Sequence, residues 1–202
     1  IKYNPIAEYN GQTIWKIKDV PEENIDIGLW ALIIAKEFDQ SIDVNRYLAE
    51  LDMMKIEILK MVGNREKDLV KFLMTRMFIY ETGQWNDRPF SYDLNDPLGE
   101  HLENQLLSSY IDNRKGNCIS MPTLFLALME RVDPEIRIYG NYAPLHLFCR
   151  FYDRESGDVW NVETTNGGNP ARNIWYIETL GISKTAIDSG AYMQALIKKQ
   201  YI

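Results

Sequence analysis

The fold is decided by the stretch LHLFCRFY (145–152), DRESGD (153–158) and VWNVE (159–163). In its first segment every second residue from Leu145 to Phe151 is apolar, Cys149 included, which is the alternation of a strand with one face on the core. The middle segment is polar and contains Gly157, as expected of a turn. With the alternating segment 136–142 ahead of it, the stretch predicts three antiparallel strands in succession.

The same stretch brings an acid close to a histidine. A symmetric turn places Tyr152 opposite Val159, and this register puts Glu163 on the strand face of His146. Diagonal neighbours on paired strands are about 7–8 Å apart, which is within reach of long side chains. Asn161 lies on that face too and is the alternative residue for orienting the imidazole.

A cysteine lies where a buried helix is expected to begin. Residues 113–118 form a loop that contains Gly116, and the apolar run 119–129, with Pro122 in its first turn, predicts the helix. The positive end of the helix dipole and the free backbone N–H groups favour the thiolate form of Cys118.

Cys118, His146 and Glu163 are therefore the candidate catalytic residues. A cysteine nucleophile, a histidine base and a carboxylate that orients the imidazole are the groups used for acyl transfer. The backbone N–H of Cys118 is a candidate oxyanion donor, with the side chain of Asn117 or Asn113 as a second one. Each residue also has a plain structural interpretation, because helix-starting cysteines and strand histidines commonly have only packing roles. The order of the three residues along the chain is more specific for catalysis than any one of them alone.

The remaining chain is expected to belong to one domain over 1–202. Apolar residues at helical spacing predict a helical portion over 20–112, in which a short helix at 98–111 is the last. Residues 113–170 hold the cysteine helix and the antiparallel strands, and residues 171–202 hold a C-terminal helix over about 185–199. The predicted class is α+β.

The loop 81–97 is long and rich in aromatic residues. Such loops often bind ligands, so Trp85, Asn86 and Tyr92 are candidates for lining a substrate groove. The alternative is that these aromatic side chains only anchor the loop.

Composition excludes several classes of protein. With 22 basic and 29 acidic residues, the chain has a formal net charge of −7, so no nucleic acid or anionic membrane partner is expected. No run approaches the roughly 18 apolar residues of a membrane span, and no membrane insertion is expected. The two cysteines and two histidines show neither CxxC nor HExxH spacing, so no metal site is expected.

A disulfide between the two cysteines is disfavoured, because Cys149 belongs to the core face of its strand. His101 is interpreted as a solvated residue on a helix. Because the chain begins with Ile1 rather than Met, the sequence is compatible with a cytoplasmic protein or with one exported after removal of an N-terminal signal. The oligomeric state is left open.

Three motifs in order resemble the transglutaminase-like superfamily, specifically its SirB1-type branch: GNCISMP (116–122), APLHL (143–147) and NVETTNGG (161–168). That branch typically reads G-x-C, then P-x-H-F, then I-D-P-F-N-G-G. The resemblance implies a papain-like core, in which a cysteine-bearing helix packs on a small antiparallel sheet, and a Cys-His-Asp triad. The triad positions are Cys118, His146 and Glu163, with Glu163 where Asp is usual, and Leu147 stands where Phe is usual.

Two functions are compatible with these residues. The first is thiol-dependent acyl transfer on a carboxamide or peptide bond of a peptide or protein substrate, by a protease, an amidase or a transglutaminase-like enzyme that needs no metal or organic cofactor. The second is a protein- or peptide-binding module that has kept the fold and lost turnover. The Cys-His pair favours the enzyme, and Glu163 in place of Asp favours the binding module.

Overall fold

Helices make up the first part of the molecule. The computed structural model describes residues 24–189 together with residues 17, 20 and 21. Ahead of the main sheet, this part of the chain forms α1 (Ile27–Phe38), α2 (Val44–Val62), α3 (Asp68–Tyr80), α4 (Leu107–Asn113) and α5 (Ser120–Val132). Asp26 and Asp43 start α1 and α2, because each carboxylate accepts a hydrogen bond from a backbone N–H of the first turn. The first three helices lie where the apolar spacing predicts them.

The loop after α3 contains a small sheet that the sequence pattern does not predict. There β1 (Ser91–Tyr92) pairs in parallel with β2 (Lys115–Gly116), which ties this loop to the turn before α5. The prediction of one helix over 98–111 is wrong. Leu106 is extended and separates a 3₁₀ turn at Leu102–Gln105 from α4.

The main sheet is an antiparallel meander in the order β3 (Arg137–Ala143), β4 (His146–Tyr152), β5 (Val159–Glu163) and β6 (Asn169–Ala171). Tyr152 lies opposite Val159, so the register predicted for this hairpin is confirmed. β6 is a fourth strand, beyond the three that the sequence predicts. It is a short edge strand, a position in which Pro170 is tolerated.

The strand prediction fails at one end of β4. Ala143 pairs with His146, so that Pro144 and Leu145 form a tight turn and Leu145 does not belong to the strand. The side chain of Leu145 is fully exposed and its φ is 56°. The apolar alternation extends one residue past the true strand start, because the sequence pattern cannot distinguish an apolar residue of the core from one presented to solvent.

The described residues after β6 form two short helices. The chain continues with α6 (Asn173–Thr179), which the sequence did not predict, and α7 (Lys184–Asp188). The single helix expected over about 185–199 begins near the predicted position, and the part of that prediction beyond residue 189 lies outside the described residues.

The first five helices and one face of the sheet share the main hydrophobic core, and Ala143, Phe148, Tyr176 and Ile182 form a second, smaller cluster. α5 packs against the four preceding helices and also against β3 and β4. Phe125 of α5 lies edge-on to Phe72 of α3 at 5.6 Å between ring centroids, and Phe72 stacks on Phe151 of β4 at 4.8 Å. The fold is therefore of the α+β class. None of the described helices is long and apolar enough to cross a membrane.

Candidate active site

The turn that presents Cys118 is held by hydrogen bonds between two side chains and the backbone. Asn117 Oδ1 accepts from the backbone N–H groups of Ile119 at 2.9 Å and Ser120 at 3.4 Å. Ser120 Oγ accepts from the backbone N–H of Asn117 at 3.1 Å and donates to the carbonyl oxygen of Asn104 at 2.5 Å. Cys118 therefore lies just ahead of α5 in a fixed turn and remains partly exposed.

His146 and Glu163 meet across the sheet. His146 is the first residue of β4 and Glu163 the last of β5, and Nε2 lies 2.8 Å from Oε2. The other carboxylate oxygen accepts from the backbone N–H of Thr165 at 3.0 Å and from its hydroxyl at 2.5 Å. Both oxygens of Glu163 are engaged and the residue is 3% exposed, so the carboxylate cannot readily turn away from the ring.

Cys118 is close enough to His146 to raise the pKa of its imidazole. Because Nε2 faces Glu163, Nδ1 is the ring nitrogen left for the sulfur. Sγ also lies 3.7 Å from the carbonyl oxygen of Leu145, the residue before His146. The structure thus brings the three sequence-predicted residues together at one place, with the carboxylate on Nε2 of the imidazole and the sulfur nearby.

The electrostatics favour a protonated imidazole. Burial lowers the pKa of His146, but the hydrogen bonds with Cys118 and Glu163 and the neighbouring carboxylate outweigh it and raise the pKa to about 9. Burial alone would raise the pKa of Glu163, but the hydrogen bonds from His146 and Thr165 keep it below its ordinary value. An imidazolium beside the sulfur and a carboxylate behind it are the charges that a thiolate nucleophile needs.

The other polar candidates have different surroundings. Asn117 is 2% exposed and its Oδ1 is used to start α5. Asn113 is exposed at the end of α4 and is separated from Cys118 by β2. Asn161 accepts from Arg150 Nε at 2.8 Å and donates to Asn173 Oδ1 at 2.6 Å, so Glu163 is the residue that meets the imidazole. The backbone N–H of Cys118 has no acceptor among the described residues.

The three groove candidates have three different surroundings. Tyr92 lies near the cysteine, because it pairs with Gly116, two residues ahead of Cys118, and burial and then the nearby Cys118 raise the pKa of Tyr92. Trp85 instead lines a groove of about 580 Å³ that also contains Met53 and Ile56 of α2. Asn86 is buried and donates to the carbonyl oxygen of Phe78 at 2.7 Å. The structure therefore brings only Tyr92 of these three to the candidate site.

Several residues near the site could not be placed there from the sequence. Tyr176 of α6 is fully buried, stacks on Phe148 at 4.1 Å between centroids, and lies 6.1 Å from the His146 ring. Burial and then the charge of Glu163 raise the pKa of Tyr176. A cleft of about 530 Å³ opens beside Glu163 and is lined in part by Arg172, Ile174, Trp175 and Glu178. Because α6 was not predicted, sequence reasoning had no means of placing these side chains.

One cluster of carboxylates lies apart from this site. Ligand atoms of Asp68, Asp153 and Glu155 lie within 4.8 Å of one another. Arg154 already donates to both oxygens of Asp68 at 2.5 Å, so this is an ion-pair network and an acidic group alone does not define a metal site.

Comparison of the chain with protein-family models, with curated proteins and with solved structures found no match. The function is therefore inferred from the geometry of this chain's own residues.

Proposed function

We propose that this chain transfers acyl groups through Cys118, acting on a carboxamide or peptide bond as a cysteine protease, an amidase or a transglutaminase-like enzyme. The observation that supports the proposal most directly is the imidazole of His146, held at 2.8 Å by Glu163 on one nitrogen, with Cys118 close by at 3.7 Å from the carbonyl oxygen of the preceding residue, Leu145. In this proposal the α+β fold is a papain-like core and the chain belongs to the transglutaminase-like superfamily.

The reaction proceeds in two halves. The Cys118 thiolate attacks the carbonyl carbon, and the backbone N–H of Cys118 donates to the oxyanion. As the C–N bond breaks, the His146 imidazolium gives its proton to the departing amine, which leaves a thioester and a neutral imidazole. His146 then takes a proton from water or from an acceptor amine as it attacks the thioester, which releases the acid or the new amide and restores the thiolate. Glu163 keeps the ring oriented throughout.

A second candidate function is a peptide-binding domain without turnover. The observation that favours it is the position of Asn117, whose amide oxygen starts α5 and whose side chain is buried, so that it does not act as a second oxyanion donor. In that case the site around Cys118 binds a peptide but does not cleave it.

The acyl-enzyme distinguishes the two functions. The protein is incubated with fluorogenic peptide amides, or with glutamine peptides and a fluorescent amine. The reaction is quenched in acid, and the mass of the intact protein is measured by mass spectrometry. We expect an added acyl mass on wild type and on Cys149→Ala, and none on Cys118→Ala. Peptide binding without an acyl adduct or product on any protein would overturn the enzyme proposal and support the binding domain.

A further inference from the structure

Leu145 is an apolar side chain that packs on nothing in the described chain. It occupies the second central position of the Pro144–Leu145 turn with φ at 56°, and it is 100% exposed. A positive φ at this position is typical of a type II turn, where Gly or Asn is favoured because a larger side chain is strained there. Leu145 therefore combines backbone strain with exposure of its whole side chain to water.

Neither feature stabilises the fold. Glycine at this position would relieve the strain of the positive φ, and a side chain that is fully exposed gains nothing from burial when the chain folds. A residue that is unfavourable in the free protein and lies at a reactive group is explained most simply by a contact that forms only when another molecule is bound.

The position of Leu145 beside the reactive cysteine indicates that this other molecule is the substrate. Its carbonyl oxygen lies 3.7 Å from Cys118 Sγ, and Ile119, which directly follows the cysteine, is 42% exposed. An acyl group attached to the sulfur therefore lies close to the backbone of both residues, each of which presents an apolar side chain to solvent. The departing amine instead lies beside His146, which protonates it.

We propose that Leu145 and Ile119 bind an apolar side chain in the acyl half of a peptide substrate, so that the site prefers Leu-like residues at the scissile carbonyl. This inference rests on the proposed acyl-transfer function and adds a substrate class to it. Leu145 is the specificity residue, and the strained turn holds its side chain outward for this contact.

The test compares two reagents that alkylate the active thiol. Acetyl-leucine and acetyl-glycine chloromethyl ketones are reacted with wild type, Leu145→Ala, Leu145→Gly and the control Leu59→Ala, and each rate is divided by the rate with glutathione. We expect wild type and Leu59→Ala to react with the leucyl reagent about tenfold faster than with the glycyl reagent. Both Leu145 variants should bring this ratio close to one.

Thermal unfolding measures the backbone strain at Leu145 separately from its contact with the substrate. Leu145→Gly should raise Tm by about 2–4 °C, because it relieves the positive φ. Leu145→Ala keeps a Cβ at that φ and should leave Tm nearly unchanged. A leucyl-to-glycyl ratio that stays high in both Leu145 variants would overturn the inference while leaving acyl transfer intact. Alkylation of Cys118 by iodoacetamide but by neither peptidyl reagent would instead overturn the proposed function, and this inference with it.

Discussion

Cys118, in the turn ahead of α5, and Cys149, in β4, have the same side chain and differ in what surrounds the sulfur. Cys118 is partly exposed beside His146. Cys149 in β4 is fully buried, with Sγ 4.0 Å from the carbonyl oxygen of Pro122. Burial and then the charge of Glu163 raise the pKa of Cys149. The surroundings therefore decide the role of each cysteine. Near a helix start and an imidazole, the Cys118 thiol is available for reaction, whereas in the middle of a buried strand Cys149 packs as a small apolar residue.

The largest expected effect is the loss of activity when the Cys118 thiol is removed. Cys118→Ala should lower kcat/KM by about 10³-fold or more, because the nucleophile is removed. Cys149→Ala should change kcat/KM by less than about threefold and lower the free energy of unfolding by about 1 kcal/mol through a small cavity. Steady-state kinetics and urea unfolding of both variants test this, and comparable losses of activity in the two would contradict the assignment of Cys118.

The next effect concerns the carboxylate that supports the imidazole. Glu163→Gln should lower kcat/KM by about 10²–10⁴-fold, because the neutral amide no longer stabilises the imidazolium. It should also move the alkaline limb of the pH–rate profile to lower pH, since Glu163 helps to raise the pKa of His146. Glu163→Asp, which keeps the charge on a shorter side chain, is the matched variant and should lose less activity. An unchanged alkaline limb in Glu163→Gln would show that Glu163 does not act through the ring.

The sequence predicted the parts of this site that depend on local periodicity. The alternation in β4 and the symmetry of the following turn place Glu163 on the face of His146, and Glu163 contacts that ring at 2.8 Å. The same alternation wrongly included Leu145, because the pattern does not say where a strand ends. Tyr176 could not be predicted, since α6 is short and its burial depends on contact with Phe148, a residue distant in the chain.

The two thiols are also expected to differ in their rates of alkylation in the native protein. Iodoacetamide should modify Cys118 in the folded protein at least about 100-fold faster than Cys149, because Cys149 must first be exposed by unfolding. In His146→Ala, alkylation of Cys118 near neutral pH should slow, since the imidazolium that favours the thiolate is gone. Peptide mass spectrometry after timed labelling measures both rates. Equal labelling of the two cysteines in native protein would show that they are equally accessible.

The smallest expected effect is a pH dependence of stability. The pKa of His146 rises from 6.5 to about 9 on folding, so its stabilisation is complete below about pH 6.5 and is lost as the pH rises through 9. The pKa of Glu163 is lowered from 4.5, so its stabilisation is present above about pH 4.5 and is lost on acidification. The difference in unfolding free energy between wild type and His146→Gln should therefore be largest at about pH 4.5–6.5. A wild-type profile that is flat up to pH 9 would exclude the ion pair.

The close packing around Gly116 has a genetic consequence. A methyl group on this residue would collide with the side chains of Ser120 and Tyr110, and Ser120 is the residue that fixes the turn before α5. Substitution of Gly116 thus displaces the nucleophile without altering any reacting atom. In a mutational scan that scores abundance and catalysis separately, substitutions at position 116 should lower the catalysis score much more than the abundance score.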